Sequence, residues 1–311
     1  MARQRRRNSP RFRPSSAEGE LPSLTQLEAF SELSLKQWNE FSVALRALHT
    51  ELFFGLELAR QQHSSDLVDA IRTNLVAGEA FEEWSRIVDY RFCLAPLSVA
   101  GSLKGDGGRF NIGSGLNPAA FPSFPALYIA QDYPTAYREK FGAAPEDRSQ
   151  SPTSTELALR SPGSFTHVAL RGQLELVLDI SQTSTLQTFA NIVRSFVIPD
   201  SVRKLARKLS LRAPPSLVRS ATGLQRQLLH ADWRMNPSQF DLPANSQIFG
   251  RIAVAAGAHG IRYPSARQSG KLCVALFPQN WRSSQSFVEV TGGAPSQARL
   301  IRIDGNTVVF K

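Results

Sequence analysis

The sequence predicts an α+β fold preceded by an all-helical segment, and three observations carry that expectation. From about Ser23 to Val88 apolar residues recur three and four apart, the spacing of one helix face. Beyond Val88 the texture changes to short apolar runs punctuated by Gly and Pro, the mark of strands and turns. Those runs are too short and too irregularly spaced for a doubly wound parallel sheet.

The chain opens with "MARQRRRNSPRFRPSS". Arg3, Arg5, Arg6, Arg7, Arg11 and Arg13 supply six positive charges there with no acid among them. Such a stretch repels itself and has little to bury, so residues 1–22 are expected to form a basic disordered arm. Of the net charge of +10, these six arginines account for six, and the +4 left over all other residues is ordinary. A solvated tail is the expectation; a nucleic-acid-binding or scaffold protein using this arm is the competing non-enzymatic reading.

Residues 23–87 read as a helical N-terminal domain. Leu27, Phe30 and Leu33, then Trp38, Phe41, Leu45, Leu48 and Leu52, mark the apolar face. Ser34 can cap a helix beginning near Lys36, and Ser64 with Asp66 can open another running to about Val76. His49 and His63 fall in this block without catalytic neighbours and read as packing or surface residues.

Residues 88–311 form the α+β part. Candidate strands are "DYRFCLA", "ALYIA", "FTHVALRG", "LELVLDI", "GIRYPS", "KLCVALF", "FVEVTG" and "TVVF", with helices expected at 133–141, 201–210, 217–230 and 246–257. The spans 143–163 and 211–216 are rich in Ser and Pro and read as loops.

Composition narrows the function. At 311 residues, 42% hydrophobic and 9% aromatic, the chain reads as globular. Cys93 and Cys273 are its two cysteines, too few for a disulfide framework or a thiolate zinc site and in keeping with a reducing cytosol. No apolar run approaches the roughly 20 residues that span a bilayer, and the N-terminus lacks the apolar stretch of a secretory signal. A cytoplasmic protein without membrane contact is expected. "GDGGRFNIGSG" lacks the strand-to-helix surroundings of a dinucleotide fingerprint and the Lys-Ser/Thr pair of a phosphate loop. No His-Glu-x-x-His set points to a metal, and no Gly-x-Ser-x-Gly marks a hydrolase serine.

An ordered polar set remains: Tyr90-Arg91, then Gly107-Gly108-Arg109-Phe110-Asn111, then Tyr128, then Glu139 eleven residues on, and downstream Pro264-Ser265. "YRFCLAPLSVAGSLKGDGGRFNIG…FPALYIAQDYPTAYREK" resembles the RES domain, a family of NAD-consuming toxins from bacterial toxin–antitoxin pairs. The family's pattern runs Tyr-Arg, Gly-Gly-Arg-Trp-Asn, Leu-Tyr-x-Ala, then an alanine and a glutamate. Phe110 takes the place of the Trp, and "GIRYPSARQSGKLCVALFP" is similar to the closing Val-Pro-Ser segment with Tyr263 in place of the Val. The resemblance covers roughly residues 88 to 292.

The resemblance implies an ADP-ribosyltransferase-like RES fold and cleavage of the nicotinamide–ribose bond by phosphorolysis or hydrolysis. Transfer of ADP-ribose to a macromolecule is the alternative within the enzyme class. It implies no separate cofactor, NAD being the substrate, and it names a cognate antitoxin and phosphate as candidate partners. Arg91 and Arg109 would meet phosphate oxygens with the planar donor fork of a guanidinium. Asn111 and Tyr128 would line the dinucleotide, Tyr128 stacking on nicotinamide. Glu139 would stabilise positive charge developing on the ribose. Ser265 would brace the arginine or the ribose, and Ser246 in "ANSQIFG" is the other candidate for the family serine.

Overall fold

The computed structural model describes residues 32–142 and 165–307. The arginine-rich arm, the expected loop over 143–163 and most of the "TVVF" strand lie outside the described residues. The chain divides into two compact units, Met1–Ala44 and Leu45–Lys311. In the first, the described residues are helical, and Trp38 stacks on Phe41 with both rings exposed. The boundary expected near residue 87 therefore falls inside the second unit.

Two helices open the described chain: α1 (Glu32–Gln62) and α2 (Ser64–Arg72). Two strands follow, β1 (Leu75–Val76) and β2 (Glu79–Asp89), where the helical block was expected to run on. The reason is long-range pairing: β2 runs antiparallel to β6 from Glu79↔Leu174 to Asp89↔Phe165. A register shift between Phe81 and Trp84, with Glu83 at a φ of 56°, breaks the alternation that would have marked it as a strand. "DYRFCLA" correspondingly is not a strand, and Tyr90–Phe92 form a short 3-10 turn.

The order continues with β3 (Gly107–Gly108), β4 (Asn111–Ile112), β5 (Leu127–Ala130) and α3 (Tyr133–Phe141). After the second undescribed span come β6 (Phe165–Leu174), β7 (Val177–Asp179), α4 (Gln187–Arg194), α5 (Asp200–Lys208) and α6 (Ala221–Leu228). The described chain closes with α7 (Met235–Phe240), α8 (Asn245–Ala255), β8 (Gly260–Pro264), β9 (Leu272–Leu276), β10 (Phe287–Gly292) and β11 (Arg302–Asp304).

The fold is α+β, as expected. Its main sheet has the order β1-β7-β8-β9-β5-β2-β6-β10-β11, and within it β7 and β8 are the parallel pair while the other pairings are antiparallel. β3 and β4 form a separate two-stranded hairpin. Side chains of a strand alternate between faces, which sorts the central strands into two cores. Leu127 and Ile129 join Val274 and Leu276 on one face; Ala130, Tyr263, Cys273 and Ala275 pack with the helices on the other. Tyr128 belongs to the helix-bearing face. Both cysteines are buried and unpaired with each other, and no helix among the described residues is long and apolar enough to cross a membrane. His49 stacks on Phe240 at 3.9 Å and His63 bonds Asp66 at 3.2 Å, both in ordinary packing and surface roles.

Candidate active site

Glu139 is placed by a helix whose ends are written in the sequence. The Asp132 carboxylate accepts from the Thr135 backbone N–H at 2.9 Å, Pro134 sits in the first turn, and Gly142 closes the helix with a φ of 83°. Burial acts to raise the Asp132 pKa, but bonds from Lys271 and Thr135 outweigh it and hold this carboxyl below its ordinary value. The bond to Lys271, at 2.8 Å, ties the start of α3 to the turn that follows β8.

That turn carries Ser265. Its backbone N–H donates to the Lys271 carbonyl at 2.8 Å, and its Oγ accepts from the N–H groups of Gln268 at 2.9 Å and Arg267 at 3.2 Å. The same hydroxyl donates to Glu139 Oε1 at 2.6 Å, and the Ala266 N–H donates to that oxygen at 2.9 Å. Among the described residues Glu139 Oε2 has no hydrogen-bond partner, and the residue is half-buried. One carboxylate oxygen is thus fixed while the other is open. Ser246 is only 1% exposed, and its Oγ has no hydrogen-bond partner. Of the two serines, Ser265 is the one that meets the glutamate.

Arg109, Asn111 and Tyr128 form the second group. Gly108 pairs with Asn111 across the hairpin, leaving Arg109 and Phe110 as its two turn residues. Asn111 Oδ1 accepts from the Gly108 N–H and from Tyr128 Oη, each at 2.9 Å. Its Nδ2 donates to the carbonyls of Ser102 at 2.7 Å and Phe124 at 3.0 Å. Every hydrogen-bonding valence of Asn111 is therefore spent inside the protein. Tyr128 Oη also accepts from the Phe110 N–H at 2.9 Å, and a Cβ added at Gly108 would collide with the Tyr128 ring. Burial pushes the Tyr128 hydroxyl pKa well up, against the pull of the Phe110 bond and of the Arg109 and Arg234 charges. The geometry makes Asn111 and Tyr128 braces of the loop.

Arg109 is 8% exposed. Its Nη1 donates to the carbonyls of His230 at 2.8 Å and Leu228 at 3.3 Å, satisfying oxygens at the C-terminal end of α6. Among the described residues its Nε and Nη2 have no hydrogen-bond partner. The open edge is a two-nitrogen fork suited to a phosphate.

The two groups meet at Tyr263 and Cys273, cross-strand partners of β8 and β9. Burial raises the Tyr263 hydroxyl and the Cys273 thiol far above their usual ranges; the nearby Glu139 charge adds to this and the Arg109 charge opposes it. Both stay protonated and uncharged at neutral pH. Phe110 is fully buried and meets the Tyr263 ring edge-on at 5.0 Å. Arg91 is not drawn into this cluster: its side chain is 62% exposed, bonds Asp89 at 3.3 Å and lies over the Phe92 ring at 4.9 Å. Asp89 in turn binds Lys140, the residue after Glu139, at 2.7 Å. Among the described residues, no group of three or more His, Cys, Asp or Glu side chains is arranged to hold a metal ion.

Two residues not singled out in the sequence hold the site together. Arg86 donates to the carbonyls of Tyr128 at 2.8 Å, Pro96 at 2.9 Å and Ser98 at 3.3 Å, and burial lowers its pKa to about 10. Gln247 bonds the Gly-rich hairpin from α8. An amide at the third position of a helix signals a cap; nothing in the sequence marks which distant carbonyls it reaches.

Fold and site define an α+β domain in which a helix-borne glutamate is bonded to a strand-end serine beside a half-committed arginine. Residues 192–293 match the model of the RES domain family, the family whose motifs the sequence resembles. The matched span contains Ser246 and Ser265; the likeness at Arg91, Arg109, Asn111, Tyr128 and Glu139 rests on the motifs themselves. Among solved structures, the chain is similar to one in the crystal structure of the M.tuberculosis MbcT-MbcA toxin-antitoxin complex. Identity there is 16% over 77% of this chain and 91% of the other, with a TM-score of 0.39. No curated protein matches the chain.

Proposed function

We propose that the protein consumes NAD, cleaving the bond between nicotinamide and ribose. The observation that carries this reading is Glu139, with Oε1 fixed by Ser265 and Ala266 and Oε2 left open. In the reaction, the bond from ribose C1′ to the pyridinium nitrogen breaks and its electron pair stays on that nitrogen, releasing neutral nicotinamide. Positive charge develops on the ribose, and a carboxylate already held in place stabilises it without reorganising. Attack at C1′ by water forms a C–O bond, releases a proton and yields ADP-ribose; attack by phosphate yields the corresponding ribose 1-phosphate ester.

The open Nε and Nη2 of Arg109 would take oxygens of the pyrophosphate, leaving Nη1 on the α6 carbonyls. Arg91, exposed and bonded through Nη2 to Asp89, would be a secondary contact. The RES match supports the class of activity, and with it the expectation of a bacterial toxin restrained by a cognate antitoxin.

Purified protein is incubated with NAD, with and without phosphate, and the products are separated and weighed. Nicotinamide accompanied by equimolar ADP-ribose, or by its phosphate ester when phosphate is present, is the expected result. Nicotinamide without a matching soluble product would mean transfer to a macromolecule. Intact NAD after prolonged incubation with folded protein would sink the reading.

A further inference from the structure

The Arg109–Phe110 turn does not hold itself. Two-residue hairpin turns follow the natural twist of strands when the first central residue, or both, has a positive φ, which Gly, Asn and Asp supply. Neither Arg109 nor Phe110 has a positive φ; in this hairpin Gly107 does, at 86°. A turn of this hand splays its strands unless something outside clamps it. Asn111 holds it from the hairpin's own second strand and Tyr128 from β5, and the third clamp comes from α8.

Gln247 is fully buried. Its Nε2 donates to the carbonyls of Asp106 at 2.7 Å, Asn111 at 2.9 Å and Gly108 at 3.1 Å, so two hydrogens serve three acceptors on both arms of the hairpin. Its Oε1 accepts from the Ala244 N–H at 3.0 Å, which fixes the amide's orientation and leaves it no freedom to flip. One turn along the same helix, a Cβ added at Gly250 would collide with the Phe110 carbonyl. The helix therefore lies directly on the turn, with the amide as its polar grip among the described residues.

We infer that Gln247 is a positioning residue, setting the direction in which Arg109 presents its open guanidinium edge. It touches no substrate; it acts through the hairpin. The substrate part of this inference rests on the NAD reading, whereas the positioning part does not.

The test uses the full chain with two substitutions. Gln247→Met keeps the volume and removes the donors; Gln247→Glu keeps the bond to Ala244 and turns a carboxylate toward the carbonyls. Amide hydrogen exchange over residues 104–115 is compared with wild type, alongside NAD kinetics. The expected result in whichever variant folds is exchange at least about tenfold faster in 104–115, where Gly108 and Phe110 N–H groups are bonded to side chains, with the sheet strands unchanged. KM for NAD rises at least about tenfold while kcat stays within about threefold, because on the proposed reading the arginine holds the pyrophosphate and not the bond that breaks. A purely architectural glutamine would lower the melting temperature and the active fraction without moving KM. Unchanged exchange in 104–115, or faster exchange with unchanged KM, overturns the inference. Faster exchange in the variants of a wild-type protein that does not turn over NAD retires the NAD reading and supports the hold of Gln247 on the hairpin that carries Arg109. Failure of both variants to fold, with the milder Gln247→Asn unchanged in 104–115 exchange, also overturns it.

Discussion

The hairpin over residues 107–112 is held in large part from outside, whereas the turn over residues 265–271 is held by its own first side chain. In the hairpin, Asn111 bonds the facing strand while Tyr128 and Gln247 reach the backbone from β5 and α8, and Arg109 is carried passively at the tip. In the turn, the Ser265 hydroxyl accepts from two following N–H groups and donates to Glu139, so one atom shapes the loop and aims the carboxylate. The difference predicts a division of labour. Damage at the turn should strike the reacting carboxylate directly; damage around the hairpin should first loosen what Arg109 holds.

The strongest way to break that division is Glu139→Gln. The amide oxygen can keep the bonds from Ser265 and Ala266, so the fold should survive while the charge is lost. NAD turnover should fall at least about 100-fold, roughly 3 kcal/mol of transition-state stabilisation. Near-normal turnover by a variant of native circular dichroism would show that the turn does not serve the reacting end.

Arg109→Lys and Arg109→Ala come next. Each should raise the Kd for NAD about tenfold or more in calorimetric titration, and Lys should recover little. An ammonium cannot satisfy two carbonyls and offer a flat fork at once. Lysine restoring full affinity would mean that the hairpin contributes charge alone.

Tyr128→Phe sharpens the comparison on the side of stability. It strips an acceptor from the buried Phe110 N–H and a donor from Asn111, which should cost about 1–3 kcal/mol in denaturant titration. Turnover at saturating NAD should change only a few-fold. A larger loss of turnover than of stability would give the Tyr128 hydroxyl a role in the chemistry.

The smallest effect is expected from Arg91→Ala. Its side chain is largely exposed and engaged with Asp89, so NAD affinity should fall less than for Arg109→Ala, by about two- to fivefold. An effect matching Arg109→Ala would mean that Arg91 joins the ligand as fully as Arg109 does.

How much of this was legible in the sequence varied with the range of the forces involved. The helix over 133–141 was readable because Asp132, Pro134 and Gly142 are local signals, and the strands at 127–130 and 272–276 because they are buried apolar runs. The strand over 79–89 was not. Its bulge breaks the alternation, and its acids suit a helix until β6 pairs with it. At the site, the order of motifs pointed to Glu139 and Ser265, whose bond the geometry then supplied. The same order could not separate Arg109 from Asn111 and Tyr128, whose polar groups are turned inward to hold the loop. Gln247 was invisible for a similar reason: its partners lie well over a hundred residues away.

That separation also has a consequence in time. Glu139 and its serine are 126 residues apart, so a ribosome finishes the helix long before it makes the turn that fixes the carboxylate. At about 5–20 residues per second the interval is about 6–25 s, plus the time for the serine to clear the exit tunnel. Throughout that interval β5 lacks its partner β9, and the growing chain has no completed site. On the proposed reading, cleavage of NAD would therefore be out of the nascent chain's reach until the final stretch of translation.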